Sequence, residues 1–139
     1  MSDLRISDVV RLAGLGAETI RYYERRGLVR PSRRTRRGTR RYDMDVVRRL
    51  RFIKRTQRLG FSLDAVGALL RLSDDHDAPC AEVLARADAK LAEVAAAQRE
   101  LAATHATLRR LVGACRRRKD PRRCPMLETL FGDADPFEE

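Results

Sequence analysis

Apolar positions fall into two regimes along this chain: short groups broken by Gly, Pro and Arg up to about residue 72, then one long stripe from about residue 79. Leu4 to Ile6 is a short apolar start, expected as a small strand, and Ser7 is placed to cap a helix running to about Ala13, where Gly14 breaks the pattern. A second helix is expected over about Ala17 to Arg26, with Ile20 facing inward and Gly27 as its left-handed stop. Two short helices joined by a Gly-containing turn make a helix-turn-helix, whose second helix would enter a DNA major groove. The run LVRPSRRTRRGTRRYD follows, with seven Arg from Arg30 to Arg41 around Gly38. A Gly-centred turn between Arg-rich arms, closed by Tyr42, predicts a β-hairpin wing, with a disordered basic linker as its rival. Asp43 caps a third helix over about Met44 to Leu59, in which Val46, Val47, Leu50, Ile53 and Leu59 follow helical spacing. Gly60 ends it, and Ser62 caps a shorter helix from Leu63 to about Leu72 that buries Val66, Leu69 and Leu70. Two consecutive helix-turn-helix units, each followed by a turn, predict a domain with two wings.

The second regime begins after the acidic, Pro-bounded joint SDDHDAP. From Pro79 to Cys115 the chain is rich in Ala, Leu and Glu, strong helix formers. Pro79 suits a first helical turn, and Asp77 lies close enough to help cap it. Leu84, Ala87, Leu91, Val94, Gln98, Leu101, His105, Leu108 and Val112 alternate steps of three and four, forming an a/d heptad seam. So narrow a seam has to face another helix, with Leu84, Leu91, Val94, Leu101, His105 and Leu108 as its interface and the polar His105 and Gln98 setting register. Cys80 opens this helix and Cys115 ends it, about 50 Å apart at ~1.5 Å per residue, so the two thiols of one chain cannot share a ligand. If two copies pack antiparallel at roughly 8–10 Å between axes, Cys80 of one meets Cys115 of the other. Pro121 and Pro125 then bar the helix from continuing, and the loop turns Cys124 back toward Cys115. MLETLFG is expected to close over it as a helical turn or two, and DADPFEE to fray. The organisation is mainly α: a winged helix-turn-helix domain (1–72), a joint (73–79), a coiled-coil dimerisation helix (79–114), and a metal-binding loop with its tail (115–139).

Charge sharpens this division. The 139 residues carry a formal charge of +10, but residues 1–60 hold 18 Lys and Arg against 6 Asp and Glu, a net of +12, which leaves the remainder at −2. A basic half of this kind is built for a polyanion, and nucleic acid is the obvious partner because Lys and Arg displace condensed counterions from phosphate. On the second helix Thr19, Arg21, Tyr22, Tyr23, Arg25 and Arg26 are the candidates: Arg reads guanine edges or holds phosphate, and Tyr hydroxyls bond phosphate oxygens. One Tyr as a core residue, with the arginines as a solvated face, is the plainer alternative. No apolar run is long enough to cross a bilayer and MSDLRISD lacks the apolar core of a signal peptide, so a cytoplasmic chain with no membrane partner is expected. In that compartment the three cysteines stay reduced, and an odd number argues against a disulfide framework. No catalytic constellation is visible around the two histidines, which points away from an enzyme.

AGLGAETIRYYERRGLVRPSRR, followed by GTRRYDMDVVRRLRFIKRTQRLGFSLDAVGALLRL, resembles the DNA-binding domain of the MerR family of bacterial transcription regulators. The pieces TIRYYERRGL, RRY and RLGFSL are specific in combination, and the likeness runs nearly end to end. LVGACRRRKDPRRCPMLETLFG is similar to mercury-responsive members, with eight residues between one Cys and a Cys-Pro pair. The resemblance implies a homodimer joined by an antiparallel coiled coil on an over-long promoter spacer. Without metal it would hold the promoter in an unproductive shape; with metal it would twist and bend the DNA so that RNA polymerase aligns with both promoter elements. Family DNA contacts fall on Arg21 and Tyr23 of the second helix and on Arg34, Arg40 and Tyr42 of the first wing, whereas Thr39 stands where relatives often carry a larger side chain.

Cys80, Cys115 and Cys124, gathered from two chains, would make a three-thiolate site. Thiolates select soft ions, and structural zinc normally takes four ligands, so three thiolates suit mercury(II) as inducer, in line with the resemblance. The basic run Arg116 to Lys119 with Arg122 and Arg123 would offset the negative charge of such a site. Lead, cadmium or zinc remain alternative inducers within the same class. A thiol redox sensor that closes a Cys115–Cys124 disulfide is a second class of alternative, and a mercury-handling enzyme or sequestering protein with no DNA role is a third, disfavoured by the basic half.

Overall fold

A computed structural model describes residues 3–75 and 80–138. The expected joint residues His76, Asp77 and Pro79 lie outside the described residues. The chain divides into two units, Met1–Arg86 and Ala87–Glu139.

The first unit is built from four helices and one hairpin. Helix α1 (Ile6–Ala13) starts one residue earlier than the Ser7 cap implied: Arg5 is the extended cap residue, and the Asp8 carboxylate accepts its backbone N–H at 3.0 Å. Helix α2 (Ala17–Arg25) is closed by Gly27, whose φ of 76° is the left-handed conformation a helix stop needs. Strands β1 (Arg33–Arg34) and β2 (Arg40–Arg41) pair antiparallel, Arg33 opposite Arg41 and Arg34 opposite Arg40. The turn between them is drawn tight by Thr35 N–H donating to Thr39 O at 2.8 Å, and Gly38 supplies the positive φ of 81° that such a short loop requires. The rival reading of this arginine run as a disordered linker therefore fails. The short strand expected at Leu4 to Ile6 is a single antiparallel bridge, Leu4 to Tyr42, which ties the N-terminus to the base of the hairpin.

Helix α3 (Met44–Arg58) begins under the Asp43 carboxylate, which accepts from the N–H groups of Asp45 and Val46, and α4 (Leu63–Asp74) begins under the Ser62 hydroxyl. The last turn of α4 takes up Ser73 and Asp74, which sequence reasoning placed in the joint. The second helix-turn-helix, α3 and α4, is present, but no second wing is: among the described residues the only β-pairing is the β1–β2 hairpin and the Leu4–Tyr42 bridge. Val9 and Ala13 of α1, Ile20 and Tyr23 of α2, Val29, Tyr42, the α3 row Val46, Val47, Leu50 and Ile53, and Val66 and Leu70 of α4 form one core. Leu69, expected inside, is only half-buried, and Leu59 is exposed.

The second unit is dominated by α5 (Cys80–Arg116), a single helix of 37 residues whose first turns belong to the first unit, followed by a loop and α6 (Pro125–Phe131). Pro125 occupies the first turn of α6, where its missing N–H is no loss. The terminal DADPFEE is not frayed through residue 138. Arg110 donates to the Pro136 carbonyl at 2.7 Å, and the Asp135 carboxylate accepts the Phe137 N–H at 2.9 Å, so the tail is tied to α5.

Candidate nucleic-acid interface and metal centre

The expected recognition helix sorts its side chains into two sets. Ile20 and Tyr23 point into the core, whereas Tyr22, Arg25 and Arg26 stand exposed and Thr19 and Arg21 are half-buried. The outward set is organised around the Tyr22 ring. The guanidinium groups of Arg25 and Arg26 lie 5.9 and 5.8 Å from its centre, and Arg26 also donates to the Tyr22 hydroxyl at 2.9 Å and to Asp64 of α4 at the same distance. Arg21 is held 2.6 Å from Glu18. These are exposed ion pairs of little intrinsic worth, easily exchanged for phosphate.

Tyr23 and Tyr42, expected as DNA contacts, are core residues first. Tyr23 is 6% exposed and Tyr42 is fully buried. The Tyr23 hydroxyl donates to Gln57 of α3 at 2.8 Å, and the Tyr42 hydroxyl donates to Glu24 of α2. Burial of each ring pushes its pKa above the ordinary value, and for Tyr42 the hydrogen bond to Glu24 and that carboxylate's charge push the same way. Arg40 also belongs to this cluster, its Nε lying 3.1 Å from the other Glu24 oxygen. Glu24 thus gathers the base of the hairpin onto α2, fixing how the wing stands beside that helix.

Of the named wing residues Arg34 is the exposed one, its guanidinium reaching the Gly38 carbonyl at 3.4 Å. Arg36 and Arg37 stand exposed at the hairpin tip and were not among the expected contacts. Their place between Thr35 and the turn glycine is the signal that would have found them. Glu24 and Gln57, the anchors of Tyr42, Arg40 and Tyr23, carried no such signal, because their partners lie 18 and 34 residues away in sequence.

The three cysteines are all free. Cys80 is exposed at the first position of α5, Cys115 is half-buried one residue before its end, and Cys124 is the half-buried residue that precedes α6. Cys115 and Cys124 line one cleft of about 320 Å³ with Arg118, Pro121, Arg122 and Arg123. Arg118 donates to the Cys115 carbonyl at 2.7 Å, and Arg123 makes a bidentate pair with Glu128 of α6 at 2.9 and 3.0 Å. Two sulfurs at one cleft fit a thiophilic cation in kind. Among the described residues no single-chain group of three or more Cys, His, Asp or Glu side chains could hold a metal.

The seam of α5 is open. Leu84, Leu91, Val94, Leu101, Leu108 and Val112 are all exposed, Leu101 at 70%, and His105 is exposed among them. The adjoining face is closed: Thr107 and Leu111 are buried.

Two family patterns match the chain, the MerR HTH family regulatory protein over residues 4–73 and the family described as MerR, DNA binding, over residues 47–111. The chain is similar to a mercuric resistance operon regulatory protein of Shigella flexneri, 40% identical over 96% of this chain and 92% of that one. Among solved structures it is similar to a transcription regulator of Ralstonia metallidurans in complex with lead(II), with a TM-score of 0.79 and 34% identity over 91% of this chain and 98% of that one. It is also similar to a dual-function regulator of Bacillus megaterium in complex with mercury(II), with a TM-score of 0.72 and 33% identity over 93% of this chain and all of that one.

Proposed function

The chain belongs to the MerR family as a metal-responsive transcription regulator, and on that premise we propose that its inducer is mercury(II), bound by Cys115 and Cys124 of one protomer and Cys80 of its partner. The observation that carries this reading is the division of the sulfurs: two line one cleft, while the third opens the same helix, 35 residues before Cys115. An antiparallel dimer would bring that third thiol to the cleft, and the exposed heptad leucines supply the apolar stripe such a dimer would bury. Three thiolates without a fourth ligand suit a soft cation that accepts low coordination, and the likeness to the mercuric resistance regulator leans the same way.

The DNA-facing parts are Thr19, Arg21, Tyr22, Arg25 and Arg26 on α2 with Arg34, Arg36 and Arg37 on the wing, held in mutual position by Glu24, Arg40, Tyr42 and the Tyr23–Gln57 bond. In this reading the dimer straddles promoter DNA, represses without metal, and activates RNA polymerase by distorting the duplex when metal binds. In vitro transcription from the cognate promoter with mercury(II), lead(II), cadmium(II) and zinc(II) titrated in parallel tests it. Activation at the lowest concentration by mercury(II) is the expected result, and activation by another of the four at lower concentration overturns the assignment. Lead(II) is the second reading, favoured by the likeness to the lead-bound regulator.

A further inference from the structure

The thiol cleft is lined by more than sulfur. Residues 116–123 carry six cationic side chains and one acid, Asp120. Three of the cations, Arg118, Arg122 and Arg123, line the cleft that holds Cys115 and Cys124. Arg123 is neutralised by Glu128, and Arg122 has its Nε 3.6 Å from Asp120 while its side chain is 92% exposed. Arg118 is anchored on a neutral carbonyl. Setting Asp120 and Glu128 against the six cations of residues 116–123 leaves the segment that forms the cleft with a net of +4, two more than two thiolates would offset.

A thiophilic cation in a thiol-rich medium is not a bare ion; it travels as a complex with two small thiols, whose tails are presented along with the metal. Guanidinium groups pair with carboxylates in fork geometry, and a cleft of one sign raises the local concentration of the opposite sign. We propose that this cleft takes its metal from complexes with anionic, carboxylate-bearing thiols, Arg118 and Arg122 receiving the carboxylate tails while Cys115 and Cys124 take the metal. This rests on the mercury reading above. In each exchange a cysteine thiolate forms a bond to mercury as one carrier sulfur–mercury bond breaks. The carrier leaves as its thiolate and picks up the proton the cysteine released, with no change of oxidation state.

The test loads the full-length protein, in stopped flow, from three preformed mercury(II) bis-thiolate complexes: mercaptoacetate (anionic), 2-mercaptoethanol (neutral) and cysteamine (cationic). The readout is the ultraviolet band of mercury bound to protein thiolates. Each rate is divided by that of an R122E variant combined with K119E, both on exposed side chains, for the same donor, which cancels the lability of the complex itself. At low salt the ratio is expected to be about ten for mercaptoacetate, near one for 2-mercaptoethanol and below one for cysteamine, and to collapse toward one in high salt. Equal ratios for the three donors, with mercury bound in full, overturn the carrier inference and leave the mercury site standing. No loading from any donor overturns both.

Discussion

The Tyr23 hydroxyl on α2 donates to Gln57 Oε1 on α3 at 2.8 Å, joining the expected recognition helix to the helix behind it. The bond lies at the edge of the core that the Tyr23 ring helps fill. Tyr23→Phe removes one hydrogen bond and leaves a part-buried amide oxygen without this donor, a loss of about 1 kcal/mol. Tyr23→Ala also opens a cavity and is expected to cost about 3–5 kcal/mol. Thermal denaturation should rank wild type, Phe and Ala in that order. If Tyr23→Phe left the melting temperature unchanged but weakened operator binding more than Arg21→Ala does, the hydroxyl would serve DNA rather than the fold.

Tyr42 makes the first unit sensitive to alkali. Burial of the ring, then the hydrogen bond to Glu24 and the charge of that carboxylate, raise its pKa above the ordinary 10.0. The unfolded chain therefore gives up this proton first. The stabilising contribution is complete below pH 10 and is lost as pH climbs above it toward the folded-state pKa, and Tyr23, raised by burial and by Tyr22, adds in the same direction. Denaturation midpoints followed from pH 8 upward should fall beyond about pH 10. The fall should be shallower in Tyr42→Phe, and an equally steep fall in that variant would place the alkaline sensitivity elsewhere.

Arg21→Ala should weaken operator binding with and without metal. Arg21 is half-buried and paired with the exposed Glu18, a pair too weak to matter for the fold. If the guanidinium holds a phosphate, the slope of log affinity against log salt should drop by roughly one, uniformly across operator sequences. If it reads a base, discrimination at one base pair should relax by about 1–3 kcal/mol. A change confined to metal affinity would move Arg21 off the DNA face.

The elements that could be read from sequence were those with local causes. Asp43 and Ser62 cap the helices they were expected to cap and Gly38 turns the hairpin, each because a neighbouring backbone group needs that residue type. What escaped was settled at a distance. Nothing local says that Tyr42 will be sealed against Glu24, or that Arg110 will hold the carbonyl of Pro136 and keep the tail from fraying. The α1 start was missed because the acid that serves it, Asp8, lies inside the helix and reaches back, so Ser7 offered a false cap. At the candidate site, the heptad seam, the two ends of α5 and the return of Cys124 toward Cys115 were legible from periodicity, spacing and the helix-breaking prolines, whereas which arginines line the cleft depends on how the loop folds.

The seam should carry dimerisation. Leu101 is 70% exposed in the chain taken singly, near the middle of α5, where a helix partner would bury it. Burying a leucine contributes about 1.5–3 kcal/mol, and a guanidinium in its place adds a desolvation cost, twice over in a two-fold dimer. Leu101→Arg is expected to run as a monomer in light scattering while keeping the circular dichroism of the first unit. A Leu101→Arg chain that remained a tight dimer would mean that another face of α5 makes the contact.

The division of sulfurs between protomers makes the most discriminating prediction. Cys80→Ser, Cys115→Ser and Cys124→Ser should each abolish the metal response and leave promoter binding intact, since none of the three belongs to the core of the first unit. The singles alone do not separate a site within one chain from a site between two. Mixing a Cys80→Ser chain with a Cys115→Ser chain does. In an antiparallel heterodimer one end then brings the two substituted positions together and is dead, while the opposite end combines the intact Cys80 of one chain with the intact Cys115 and Cys124 of the other. Half the metal capacity of the wild-type dimer should return in the isolated heterodimer. If each chain instead assembled its own site, every site in the mixture would lack one sulfur and no capacity would return.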